Sequence, residues 1–390
     1  MKPEPPSSVI IRDRYVPKIN VLTLVASHNN LFAMEALMDK YIGFDIDSKK
    51  VSVCVVESGK QDYYATISPD IESMRKFLLS QRQDGVRINL AYEVSGYSGY
   101  IHDQLCECVD RIAVANPIKT TWIYRTAKKT DRIDARKLAV LLSIGELPTV
   151  HVPNKEIRQW RQSILHRRNI VKAVCRVKNR IRAVMKSAGY FKAGNKGGWW
   201  KRLNIEWMHK TASGREFWQM QLGQLLDEYE FHNKQLLKVT DPLDEYLKTK
   251  PAAVLLMSIP GIGPRTAEAV LAYTDGVERF GGSREYCSYF GVVPKLDESG
   301  DSRRVGHITK HGPSVVRGLL CEAAWKSIRK STSLKSFYER VMNGDNKRKK
   351  IAIVAVCRKL LSIMRAMLTT GELFNEKLVL KHCTELDKAA

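Results

Sequence analysis

The strongest constraint on this chain is a change of hydrophobic period between Tyr41 and Ser143. Tyr41–Asp47 (YIGFDID) and Lys50–Val56 (KVSVCVV) are short, apolar-rich runs joined by a tight polar turn, the pattern of paired strands. Asp62–Ile67 reads as a third strand. Over Asp70–Gln83 the spacing becomes helical through Ile71, Met74, Phe77 and Leu78, with Asp70 after Pro69 as the candidate N-cap. Val86–Glu93 returns to alternation, with Val86, Ile88 and Leu90 separated by polar residues. A helix over Tyr97–Cys108, a short strand Arg111–Asn116 ended by Pro117, and a helix Thr130–Ser143 capped by Thr130 complete the order β-β-β-α-β-α-β-α.

Three consecutive strands followed by alternating helices and strands predict a mixed sheet with helices on its faces, the ribonuclease H-like layout of the α/β class. Pro148 and Pro153 mark a linker, after which the pattern is helical. Ile157, Trp160, Ile164, Ile170, Val174, Val177, Ile181 and Val184 form an apolar stripe over 154–187, and Leu222, Leu225, Leu226 and Tyr229 continue one over 217–247. Between them, 188–200 is Gly/Lys-rich and reads as a loop. The two helices predict a long helical hairpin or coiled coil whose stripe packs on itself or on a second subunit. From about 251 the chain is mostly helical with Gly turns. The expected organisation is an N-terminal extension 1–40 of no assignable role (with a possible helix over 21–38), an α/β catalytic domain 41–150, a basic helical hairpin 151–250 and a C-terminal domain 251–390.

Charge narrows the partners. Lys and Arg number 64 against 41 Asp and Glu, a formal net charge of +23. The surplus is concentrated. Lys155–Lys186 holds eleven Lys/Arg and one acid, and Asp301–Lys350 holds thirteen against four. Two such stretches point to a polyanion, nucleic acid first. Arg167, Arg168, Lys172, Arg176, Lys178, Arg180 and Arg182 are the candidate contacts on the first long helix, with Trp160, Trp199 and Trp200 available for stacking and Lys347–Lys350 as a further basic cluster. No apolar run reaches the roughly 20 residues of a membrane span. The N-terminus lacks a signal-peptide core, and the eight cysteines are scattered without a C-x-x-C pair. No zinc site, disulfide framework or membrane partner is therefore expected, and a cytoplasmic, nucleoid-associated protein fits.

Four carboxylates stand out. Asp45 lies mid-strand, where Asp is disfavoured. Glu93 ends the fourth strand, and Asp131 and Asp134 share one face at the start of the last helix. In a ribonuclease H-like sheet the first and fourth strands are neighbours, and the last helix can bring its first turn to their ends. Clustered acids repel unless cations neutralise them. Two divalent ions roughly 4 Å apart would do so and would serve phosphodiester chemistry. Oxygen ligands suit Mg²⁺ or Mn²⁺. Asp47, on the same strand face, is a rival to Asp45 for the first position.

GFDIDSKKVSVCVV, AYEVSGYSGY and KKTDRIDARKLAVLL resemble the DEDD transposases of insertion sequences, a group that includes the Piv invertase and whose first domain is similar to the RuvC resolvase. The resemblance runs from about Tyr41 to Trp325. Ser258–Pro264 (SIPGIGP) is similar to the family's PGIG element and reads as a helix-hairpin-helix turn, with Gly261 and Gly263 letting backbone N–H groups approach a phosphate. The family then has a Ser-Gly followed by a basic Gly-rich loop and an Arg-bearing helix. That match makes Ser299 the candidate nucleophile and Arg303, Arg304, Lys310 and Arg317 the candidate phosphate clamps. Ser302 and Ser314 are rivals, Ser314 being explicable as a helix cap. The resemblance implies strand exchange between donor and target DNA through a covalent phosphoserine, guided by a structured non-coding RNA. Sharing active sites between subunits would require a dimer at least, and bringing two duplexes together suits a tetramer. The chain departs from the family in its extra N-terminal residues, in His307 and His311 where other basic residues are more usual, and in Pro313. The competing readings are a structure-selective endonuclease using the carboxylates alone and a non-catalytic nucleic-acid scaffold.

Overall fold

The computed structural model describes residues 38–120, 130–194, 197–299 and 302–378. The chain divides into two compact units, 1–152 and 153–390. The helix expected over 21–38 lies outside the described residues, except that Met38 opens the first strand.

Unit 1 is a five-stranded mixed sheet. β1 (Met38–Ile46), β2 (Val51–Glu57) and β3 (Tyr63–Ile67) form an antiparallel meander, and β4 (Val86–Glu93) and β5 (Arg111–Ala115) add in parallel beside β1, giving the order β3-β2-β1-β4-β5. Ile42, Phe44, Ile88, Leu90 and Tyr92 point to one face, where α1 (Ile71–Ser80) and α2 (Ser98–Leu105) cover them through Met74, Leu78, Ile101 and Leu105. Asp70 caps α1, its carboxylate accepting from the Ser73 amide at 2.7 Å; the Ser68 hydroxyl first, and then the Ser73 amide and hydroxyl, hold its pKa down at about 2. After the short α3 (Pro117–Thr120), α4 (Asp131–Ser143) covers the other face. Thr130 caps it by accepting from the Ile133 amide at 3.3 Å.

β1 begins three residues before the expected Tyr41. After the exposed Met38 its next two residues are polar but paired: Arg87 bridges Asp39 at 2.9 Å, and the buried Lys40 ammonium donates to the Gln81 carbonyl at 3.1 Å.

Unit 2 opens with α5 (Lys155–Ser187), capped by Asn154, and α7 (Phe217–Lys248), with α6 (Arg202–Ala212) between them. The apolar stripe packs on itself: Ile170, Val174, Val177 and Ile181 meet Leu222, Leu225, Leu226 and Tyr229. The root of this hairpin is different. Trp160, Ile164, Leu243 and Leu247 belong to the same core as the C-terminal helices α8 (Pro251–Met257), α9 (Pro264–Thr274), α10 (Ser283–Tyr289), α11 (Ser314–Lys330), α12 (Thr332–Met342) and α13 (Lys349–Thr370). Hairpin and C-terminal helices are therefore one unit. The basic segment after Val293 is a two-stranded antiparallel ribbon, β6 (Pro294–Ser299) and β7 (Ser302–Ile308), where a loop was expected.

At the hairpin root, Arg167 is only 6 % exposed and Glu268 of α9 is fully buried. The two form an ion pair, and Trp160 donates its indole N–H to the same carboxylate at 3.4 Å. Removing one partner of such a pair strands a charge away from water. Glu268→Ala should thus cost about 3–5 kcal/mol, read as a lower urea midpoint of the full chain. Replacing Arg167 and Glu268 together by Met should recover most of that loss. A Glu268→Ala variant as stable as the parent would contradict this account.

Candidate active site and nucleic-acid surface

The carboxyl ends of β1 and β4 carry the first two acids. In the parallel ladder Gly43 pairs with Ala91 and Phe44 with Tyr92, so one step further Asp45 stands beside Glu93. Residues two apart on a strand share a face. Gly43 and Ala91, and with them Asp45 and Glu93, face α4: a Cβ at Gly43 would sit 2.0 Å from the Ala135 carbonyl oxygen, and Ala91 packs with Leu138, Leu141 and Leu142. A glycine at 43 is what lets the helix lie this close. One turn before Ala135 comes Asp131. Its end of the helix is fixed by Lys50, whose Nζ is 2.9 Å from Asp131 Oδ2 and which directly precedes Val51, the ladder partner of Ile46. Asp131 therefore lies at the same edge of the sheet as Asp45. Asp134, one turn along, is bonded to Lys137 at 3.2 Å.

The bond to Asp131 holds the Lys50 ammonium above its usual pKa, with Asp47 and Asp45 adding to the effect. The acids thus hold positive charge among them, and the donor set is oxygen only, which suits a hard divalent cation. Among the described residues no three His, Cys, Asp or Glu side chains stand within reach of a single ion. Asp131 and Asp134 are each turned toward a lysine. The rival Asp47 is committed to the β1–β2 turn, where its Oδ1 accepts from the Lys49 amide at 3.1 Å.

Ser299 ends β6, exposed, opposite Ser302 at the far end of the ribbon. The ribbon's apolar cross-strand pair, Leu296 and Val305, is exposed as well. Its base is held firmly. Gly291 and Gly312 have φ of +67° and +71°, and a Cβ at either would meet a backbone carbonyl at 2.0 Å. Arg317 Nη1 donates to the carbonyls of Phe290 (3.2 Å), His311 (2.6 Å) and Gly312 (3.0 Å). Burial, with Arg168 close by, lowers its pKa. Arg317 is accordingly a brace for the ribbon rather than an open phosphate clamp. Arg304 and Lys310 are exposed, and Arg303 lies on β7. Ser314 is the first residue of α11 and makes no side-chain cap, so capping does not explain it.

The basic residues of α5 divide by their surroundings. Arg167 is buried against Glu268 and cannot reach a phosphate. Lys178 and Arg182 lie over the Trp200 ring at 5.0 and 5.3 Å, and Arg180 bonds Glu228 at 2.9 Å. Lys172 and Arg176 are exposed, and Arg168 is half-buried. Trp160 is core, while Trp199 and Trp200 pack into the hairpin cluster, so none is an open stacking platform. In the turn between α8 and α9, Gly261 (φ +94°) is pressed on Ser327, its Cβ position 2.5 Å from that amide nitrogen, whereas nothing lies within 4 Å at Gly263. Among the described residues no helix is long and apolar enough to cross a membrane.

A sheet of this order with acids at its carboxyl edge, joined to a basic helical unit, defines a DNA-processing enzyme of the transposase and recombinase class. A DEDD transposase model of the IS110 type matches 42–189, and a model described as Transposase IS116/IS110/IS902 family matches 253–339. The two matches together span more than half of the sequence, and the chain belongs to this family of insertion-sequence transposases, which use divalent metal. It is 24 % identical over 300 residues to a Sinorhizobium fredii protein described as a transposase, y4qE, covering 74 % of this chain and 71 % of the relative. It is 26 % identical over 259 residues to the transposase for insertion sequence element IS1111A of Coxiella burnetii, covering 64 % and 70 %. A pilin gene-inverting protein of Moraxella lacunata is 30 % identical over 128 residues, covering 32 % and 39 %.

Proposed function

We propose that this transposase cuts and rejoins DNA, with Asp45, Glu93, Asp131 and Asp134 of unit 1 as the acids that would hold Mg²⁺ or Mn²⁺ and Ser299 of unit 2 as the nucleophile. The observation that carries the reading is the placement of Asp45 and Glu93 at the carboxyl ends of two neighbouring parallel strands, on the face that α4 covers. Bound there, divalent ions would stabilise the negative charge that builds on a phosphoryl group. The Ser299 Oγ attacks phosphorus, the bond to the leaving sugar oxygen breaks, and that oxygen takes up a proton. An incoming hydroxyl later reverses the step and frees the serine. Phosphodiester bonds are conserved, so exchange needs no ATP. The exposed Ser299 at the end of a firmly based ribbon supports this role, and Arg303, Arg304 and Lys310 on and beside the ribbon would offset phosphate charge. Exposed Lys172 and Arg176, with Arg168, suit the backbone of DNA or of a structured guide RNA. An oligomer, dimer or tetramer, would bring donor and target duplexes together.

The test uses the full chain on plasmid DNA carrying the element's own ends. Cleavage and joining should stop with EDTA and return with Mg²⁺ or Mn²⁺. Cleavage that leaves free ends and never joins them would favour a structure-selective endonuclease. Binding without any cleavage would favour a scaffold.

A further inference from the structure

We propose that a cleft between α10, α12 and α13 seats one phosphodiester of bound nucleic acid, with the adjoining nucleoside against its apolar wall. It rests on the reading that this chain acts on nucleic acid, and names a site that the carboxylates, the ribbon and α5 leave unassigned. The cleft encloses about 300 Å³. Arg284 comes from α10, and Arg358 and Lys359 from α13, while Val293 and Phe337 supply apolar surface.

No carboxylate lines the cleft. The nearby acid Glu285 is turned away, accepting from the Gly281 amide at 2.8 Å. None of the three cations has an ion-pair partner among the described residues. Three like charges held around one concavity repel, and the field focused there attracts an anion. A guanidinium pair with an ammonium matches the oxygens of a phosphate, guanidinium as a planar fork and ammonium as a point charge. Phe337 is held in place by packing against the unit 2 core, and the Arg340 guanidinium lies over its ring at 5.4 Å; the part of the ring that lines the cleft is a fixed apolar surface for a base or sugar. Stacking of that kind tolerates any base, so the site should add affinity without adding sequence preference.

The experiment measures binding of the full chain to a fluorescein-labelled oligonucleotide, DNA in one arm and RNA in the other, across a salt series. Arg284→Gln with Arg358→Gln should weaken binding at least tenfold in one arm or both. The slope of log affinity against log salt should fall by about one for each lost phosphate contact. The arm that responds identifies the strand. Unchanged affinity and slope in both arms, in a double variant with the parent's circular dichroism, overturns the proposal. If the double variant does not fold, Lys359→Gln carries the same comparison. The strand-exchange assay on the parent protein reports separately on the catalytic reading, so either can fail without the other.

Discussion

Asp45→Asn should lower DNA strand cleavage by about three orders of magnitude while leaving DNA binding intact. The substitution keeps the size of the side chain and removes its charge. Metal-assisted stabilisation of a reacting phosphate contributes several kcal/mol, and each 1.36 kcal/mol is a factor of ten in rate. Glu93→Gln, from the adjacent strand, should do the same. The fold should survive, because the amide keeps the shape of the carboxylate, and circular dichroism of both variants should match that of the parent. Asp47→Asn is the control. Its carboxylate serves the turn through the Lys49 amide and the Ser48 hydroxyl, so cleavage should remain near that of the parent. Full cleavage by Asp45→Asn, or abolition by Asp47→Asn alone, would move the first ligand to the turn.

Ser299→Ala should eliminate the covalent protein–DNA adduct altogether, as seen on a denaturing gel with a labelled cleaved substrate. The side chain is exposed at the ribbon's end, and surface substitutions of this kind stay within about 0.5 kcal/mol. Unfolding midpoint and DNA affinity should both match the parent. Ser302→Ala and Ser314→Ala should retain the adduct. Should the adduct survive in Ser299→Ala and vanish in Ser302→Ala, the nucleophile is the residue across the ladder.

Unit 1 was largely legible because its apolar residues are buried on a regular period. β4 has the expected bounds, and Asp70 and Thr130 cap the helices they were expected to cap. Met38–Lys40 escaped because Asp39 and Lys40 are polar, held by Arg87 and by the Gln81 carbonyl, and Met38 is exposed. The β6–β7 ribbon escaped for a related reason: it buries almost nothing, so Leu296 and Val305 are its only marks of alternation. At the acidic edge, chain order brought Asp45 to Glu93, but which lysine each helix acid would hold is a matter of packing. The same gap affected α5, where charge gives the sign of a side chain and not its partner. Arg167 did leave a trace. It falls three residues after Ile164 and three before Ile170, on the apolar stripe itself, which is a place for a charge only when another helix supplies its counter-ion.

The burial of that counter-ion pair has a mechanical outcome. Tilting the long α5–α7 rod at its root would part opposite charges in a water-free place, with no solvent to take them over. The rod is therefore anchored to α9 as a single stiff body, and whatever bending strand exchange asks of it must come from farther out, beyond Ile170, where apolar and aromatic packing can slide and the Arg180–Glu228 pair lies open to water.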